Sequence, residues 1–142
     1  MAKQSKLKLL YLVLCDGFGT EPNTGKKNFL GVFDRIIVDT LPSFFPSLMI
    51  AVGLEGGEGP FEIGVVLQDP AGKEIFRSPM IPVTPKLPYR REDLIVQING
   101  LRLEQAGRFE VHVLVNGDPL WFYPLYVEQE ATLEQVLTVK GS

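Results

Sequence analysis

Cys15 and His112 are the single thiol and the single imidazole of the chain. A nucleophilic pair made from them would need both side chains in contact, with a third group to orient the ring. Both sit inside apolar runs, Leu12-Val13-Leu14-Cys15 and Val111-His112-Val113, where a lone cysteine is ordinarily inert packing. One cysteine and one histidine also fall short of a zinc site unless Asp16 and a further ligand join them. Gly25-Lys26-Lys27 hints at a phosphate loop. The glycine upstream is Gly19, one position too far; Pro22 interrupts, no Ser or Thr follows the lysines, and a strand pattern comes next instead of a helix N-terminus. The glycines at 53, 56, 57 and 59 lack a following helix too and read as a hairpin loop. Asp16, Asp34, Asp39 and Asp69 would bind calcium if their loops met at one end of the fold, but loop acids are ordinarily just solvated. The residue types supply no catalytic set, no metal site and no cofactor cradle, so the expectation is a protein that is not an enzyme.

The elements that would carry any site read as strands. Phe109, Val111, Val113 and Val115 alternate with Arg108, Glu110, His112 and Asn116, the period of a half-buried strand. Asn116-Gly117 supplies a tight turn, and the apolar run from Leu120 returns. A hairpin this apolar needs further strands to cover it. At 142 residues the chain is expected to form a single domain over 1–142, with its core within 7–127 and a tail over 128–142. Its 14 Lys and Arg against 17 Asp and Glu give a net charge of -3, which offers no field for nucleic acid. The one cysteine permits no internal disulfide and fits a reducing compartment. Lys3, Lys6 and Lys8 ahead of Leu9–Cys15 imitate a secretory signal, yet the apolar run is short and Leu14 stands where a cleavage site wants a small residue. The run reads as a first strand, apolar on both faces and suited to the centre of a sheet, in a cytoplasmic protein with no membrane contact.

Further strands are expected at Asn28–Asp39, antiparallel to the first, and at Leu48–Leu54, Phe61–Gln68, Lys73–Arg77 and Asp93–Ile98. Asp16–Lys27 reads as a polar loop, and Leu41–Ser47, with Pro42 and Pro46, as a connection. Gly31 suggests a bulge or a close backbone approach, and Asp69-Pro70-Ala71-Gly72 a type I turn. Pro79, Pro82, Pro85 and Pro88 recur every third residue. They fit a polyproline ridge for an aromatic groove, or a stiff crossover between sheets with Met80, Ile81, Val83 and Leu87 beneath. Glu128–Thr138 stripes Leu133, Val136 and Leu137 along a short helix or forms a last strand. About eight strands at this spacing predict an all-β, antiparallel two-sheet β-sandwich of immunoglobulin-like type, with at most that one C-terminal helix.

Several of these residues together resemble a family of small bacterial proteins of unknown function. The matching pieces are Leu14-Cys15-Asp16, the run Gly25–Asp34 with its L-x-G-V-F-D ending, Phe45-Pro46, Leu67–Gly72, Gly107-Arg108-Phe109 and Asn116-Gly117. The resemblance spans residues 7–127. It implies a sandwich fold and supplies no catalytic residue.

One conflict in the hairpin points to function. A two-residue turn sets Val113 against Leu120 and Val111 against Phe122 on the core side, and His112 against Trp121 and Glu110 against Tyr123 on the other. The return strand is then apolar on both faces, while Pro124 belongs at an edge. Trp121, Tyr123 and Leu125 are therefore expected to form an outward interaction surface. The leading expectation is a non-enzymatic interaction module that self-associates as a homodimer, with a further protein partner open. The alternative is a small-ligand or carbohydrate-binding sandwich in which Trp121 and Tyr123 stack on a sugar.

Overall fold

The structure, a computed structural model, describes residues 7–130. Among them the regular structure is entirely strand, in eleven pieces: β1 (Lys8–Cys15), β2 (Gly17–Thr20), β3 (Lys27–Leu30), β4 (Arg35–Val38), β5 (Ser43–Glu55), β6 (Phe61–Gln68), β7 (Glu74–Arg77), β8 (Ile81–Val83), β9 (Arg91–Leu103), β10 (Gly107–Val115) and β11 (Asp118–Gln129). One sheet has the order β1-β5-β9; the other has the order β4-β11-β10-β6-β7, with β8 beside β6. β2 and β3 form a separate hairpin. The chain is an all-β sandwich, and all its strand pairs are antiparallel except β4 with β11, which run parallel. Among the described residues no helix is long and apolar enough to cross a membrane.

Alternation of apolar residues decides which faces meet. Leu48, Ile50, Val52 and Leu54 of β5, with Leu14, Val96 and Ile98 of its neighbours, form one inner face. Phe61, Ile63, Val65 and Leu67 of β6 and Phe109, Val111, Val113 and Val115 of β10 form the other, and all of these side chains are buried. Ser78, buried where the chain passes from β7 to β8, is satisfied on both sides: Val65 donates its N–H to Ser78 Oγ at 2.9 Å, and that hydroxyl donates to the Pro79 carbonyl at 2.9 Å.

The differences from the sequence expectations each have a local cause. β1 is an edge strand, not a central one. It is apolar on both faces because a hairpin covers its outer face, β2 falling in the expected polar loop and β3 at the start of the expected second strand: Phe29 lies 5.4 Å from Tyr11 and 5.6 Å from Phe18 between ring centroids. The expected strand over 28–39 breaks at Gly31, where φ is +64°, into β3 and β4. Only the single bridge Leu14–Phe33 joins this stretch to β1. β5 starts at Ser43 and runs through Pro46, within the expected connection. The missing N–H costs one rung: β5 pairs with β9 at Phe45–Leu101 and at Ser47–Asn99 with no pair at Pro46, and on its other side β1 reaches no further than Met49. The proline tract contains β8 and buries Val83, while Met80 and Leu87 are exposed. Glu128 and Gln129, assigned to a tail, belong to β11; the expected short helix otherwise falls on residues outside those described.

The break at Gly31 is also where the two sheets are joined. Asp16 donates its N–H to the Leu30 carbonyl at 2.9 Å, Phe33 donates to Leu14 at 2.9 Å, and Tyr126 donates to Asp34 at 3.0 Å. A Cβ on Gly31 would collide with the Asp16 carboxylate. Gly31→Ala is therefore expected to lower the unfolding free energy by about 2 kcal/mol or more, from the left-handed backbone and the collision together. Urea denaturation of Gly31→Ala and of Asp16→Ala/Gly31→Ala separates them. The double variant should regain the steric part and keep the backbone part; equal stability of wild type and Gly31→Ala would refute the assignment.

Candidate functional site

Cys15 and His112 lie in different sheets and do not meet. Cys15 is buried at the end of β1. Burial pushes its thiol up, and the nearby Asp16 charge adds to the shift, against a lowering hydrogen bond from the Gly17 backbone. His112 stands on the outer face of β10, its Nε2 3.1 Å from Glu110 Oε1 and its ring 5.7 Å from that of Phe122. The four loop acids do not gather: Asp69 is used inside its own turn, accepting from the Ala71 and Lys73 N–H groups at 2.9 and 2.8 Å, and Asp16 lies against Gly31. Among the described residues no group of three or more His, Cys, Asp or Glu side chains could hold a metal ion.

The polar cluster that does form brings together residues far apart in sequence. Asp93 on β9 accepts from the Tyr11 hydroxyl at 2.6 Å and from Lys27 Nζ at 3.0 Å, with Arg91 at 3.5 Å. Tyr11 spans the sheet to reach it by crossing the face of Gly53, where a Cβ would strike the ring. Lys27 opens β3, so the cluster pins the β2–β3 hairpin to the outer face of the first sheet. Burial and the Asp93 acceptor hold the Tyr11 phenol well above its ordinary value. Burial alone would raise the Asp93 carboxyl; hydrogen bonds from Tyr11 and Lys27 and the charges of Lys27 and Arg91 outweigh it and hold the group below its ordinary value. Its geometry is that of a latch, with both carboxylate oxygens of Asp93 engaged inside the cluster.

The β11 surface differs in face from the sequence expectation. Asn116 and Gly117 form the two-residue turn with φ of +51° and +89°, but the register slips between Val113 and Leu114, and Leu120 becomes an extra residue. Trp121 then pairs with Val113 and Tyr123 with Val111. The expected outward surface is thereby corrected: Leu125 is fully buried, and Trp121 and Tyr123 pack against the core. The slip turns outward Leu120, Phe122 and Tyr126, which are 38%, 64% and 40% exposed, beside Ile37 of β4 at 57%.

Along this apolar row runs a charged one on β10. Arg108 approaches Glu110 at 3.5 Å, and Glu110 holds His112. A shallow groove of about 270 Å³ continues the face past His112 toward Gln68 and Arg77. β11 is a free edge only in its first half, because β4 pairs with Tyr126–Gln129. Tyr126 donates its N–H toward β4, so alternation turns the main chain of Phe122 and Pro124 the same way. Pro124 has no N–H to offer, and that edge is a poor template for another strand.

With this geometry in hand, the chain is placed among known proteins: it belongs to a family of unknown function, DUF6941, whose profile matches residues 10–128. No curated protein matches the chain. Similar solved structures include Pseudomonas fluorescens alkylpurine DNA glycosylase AlkC bound to DNA containing an abasic site analog, at 14% identity and TM-score 0.46, covering 87% of this chain and 30% of that one. Listeria innocua β-glucosidase in complex with glucose is similar at 11% identity and TM-score 0.47, covering 89% of this chain and 16% of that one. The chain thus spans under a third of the length of either protein.

Two outcomes follow from the site chemistry. A thiol reagent should modify Cys15 only as fast as the protein unfolds, since reactivity needs exposure and a thiolate; rapid labelling of the folded chain would contradict its placement. A carboxylate held below its ordinary value contributes stability above about pH 4, and that contribution is lost as pH falls through the lowered value. The gap in urea midpoint between wild type and Asp93→Asn should therefore shrink from about pH 6 to about pH 3, and a gap that stays constant would show that Asp93 is not an engaged carboxylate.

Proposed function

We propose that the protein is a non-enzymatic interaction module of the cytoplasm that self-associates through the outer face of β11. The observation that carries this reading is the row of Leu120, Phe122 and Tyr126, with Ile37 beside it, exposed on a strand whose opposite face already fills the core. Contiguous exposed apolar groups flanked by charges have the layout of a contact surface with its polar rim. A second copy is the occupant favoured here. The flanking row carries both signs, Arg108 and Glu110, so a two-fold contact brings opposite charges together twice. Pro124 argues for packing face to face and against extension of the sheet. The carbohydrate reading loses its stacking pair, because Trp121 and Tyr123 turn inward.

Sedimentation of the intact chain is the direct test. A dimer at micromolar concentration is expected, with Phe122→Glu weakening it on the order of tenfold or more, since a buried charge without a partner is strongly disfavoured at an interface. Trp121→Glu is the contrasting variant and should destabilise the fold itself. A monomer throughout the micromolar range, unchanged by Phe122→Glu, would end the self-association reading.

A further inference from the structure

The side of the sandwich opposite the β1–β4 junction is open. Between β9, the last strand of one sheet, and β7, the last strand of the other, lies a cleft of about 470 Å³. Its floor is apolar, with Ile75, Phe76, Ile98, Leu101 and Phe109. The charges on its rim are mostly engaged already. Asp69 accepts from Gln105 at 3.3 Å, Glu74 takes both arms of Arg77 at 2.7 and 2.8 Å, and Glu104 takes Arg102 at 2.9 Å. Lys73 is the rim charge that no other described side chain engages.

β9 enters this cleft with Ile98–Arg102, and the strand edge that leads to it is bare. Arg91 exchanges both main-chain hydrogen bonds with Lys86, at 3.0 and 3.1 Å, on the side of β9 away from β5. Alternation turns the N–H and C=O groups of Asp93, Ile95, Gln97 and Asn99 the same way, and among the described residues no strand lies beyond them. From Leu94 to Leu101 the strand carries no charge and no proline. Other sheet edges are protected: Glu74 and Arg77 charge the four-residue β7, Pro82 interrupts β8, Pro124 blocks β11, and β1, at the far edge of the same sheet, is irregular between Leu9 and Tyr11 and bridged to Phe33 at Leu14. A long, uncharged edge without proline is the kind that pairs with another chain.

We propose that the open edge of β9 is a strand-addition site: an extended peptide segment pairs with the outward main-chain groups of Asp93, Ile95, Gln97 and Asn99, places an apolar side chain in the cleft over Phe76 and Leu101, and sets an acidic group against Lys73. Main-chain groups at strand spacing call for a polypeptide, because only another extended backbone offers donors and acceptors at the same alternation. The cleft supplies selectivity for an apolar residue, and the lysine for an acid beside it. A second copy pairing through the same edge fits less well, since Val96 and Ile98 of its β9 are buried in its own core. The site is distinct from the β11 face, so either reading can fail while the other stands.

The test is selection of short random peptides, displayed in a library, on the intact chain, followed by amide mapping of the enriched peptides by nuclear magnetic resonance. Enriched sequences should alternate apolar residues with an Asp or Glu nearby, and the amides that move most should be Asp93, Ile95, Gln97 and Asn99. Gln97→Pro removes one outward N–H and leaves the β5 ladder whole; it should weaken binding on the order of tenfold while the melting temperature changes little. Lys73→Glu should abolish the preference for acids. Failure to enrich any peptide, shifts that map elsewhere, or equal binding by both variants would overturn the proposal. If Gln97→Pro does not fold, the amide map of the unaltered chain and the Lys73→Glu selection still decide. A dimer lost in Gln97→Pro but kept in Phe122→Glu would show that a second copy occupies the edge, and would overturn both this proposal and the β11 surface.

Discussion

A sandwich built from one chain must carry its backbone from one sheet to the other without stranding polar main-chain groups. The chain changes sheet five times, and the longest of these crossings, between Cys15 and Arg35, carries a hairpin of its own. The chain leaves the end of β1, folds back over the outer face as β2 and β3, and returns beside its departure point, where Phe33 donates to Leu14 and Asp16 to Leu30. Asp34 then receives the Tyr126 N–H, and β4 runs on along β11. Gly31 permits the reversal because its backbone adopts the left-handed region that other residues enter only with strain. One side of the sandwich is closed by this passage. On the other side the chain passes from β8 to β9 and from β9 to β10 by short connections, and the edges of β7 and β9 are left with no strand between them.

The outer faces follow from coverage. The hairpin, latched through Tyr11, Lys27 and Asp93, shields Tyr11 and the far side of β1. No comparable element lies over the second sheet among the described residues, and its outer face is set by side chains alone: charged on β10, apolar on β11. The slip at Leu120 is what places the large side chains. It lets Trp121, Tyr123, Leu125 and Val127 complete the core beneath β10 while Phe122 and Tyr126 remain outside.

Much of this was legible in the sequence wherever the period of two ran unbroken. The inner faces of β5, β6 and β10 could be read residue by residue from Leu48–Leu54, Phe61–Leu67 and Phe109–Val115, because burial on one face alone imposes that alternation. Legibility stopped at irregular residues. A strand reading carries its parity forward, and one extra residue inverts everything beyond it. Leu120 did this to the β11 surface, which is why Trp121, Tyr123 and Leu125 had the wrong face. Pro46 misled in the other direction: the proline removes a single rung, and the β5–β9 ladder continues on either side of it at Phe45 and Ser47. The Tyr11–Asp93 contact joins residues 82 positions apart, and no local pattern encodes it. The cleft was invisible for the same reason: it is made of strand ends that meet only in the fold.

The two surfaces also answer to different physics, and this bears on how they can coexist. The β11 face offers side chains on a strand whose outward main chain is crippled by Pro124, so its energetics are those of apolar burial, nearly independent of salt. The β9 edge offers main-chain groups in register, with little exposed apolar area outside the cleft, so recognition there depends on backbone geometry and on one lysine. Salt should therefore act on the second far more than on the first, through the screened attraction of Lys73 for an acid. Because one lies on a sheet face and the other on the opposite sheet's edge, occupation of either leaves the other accessible. Were both proposed surfaces occupied, a two-copy assembly would present two strand-accepting edges, so that a partner carrying two such segments would be held more tightly than either segment alone.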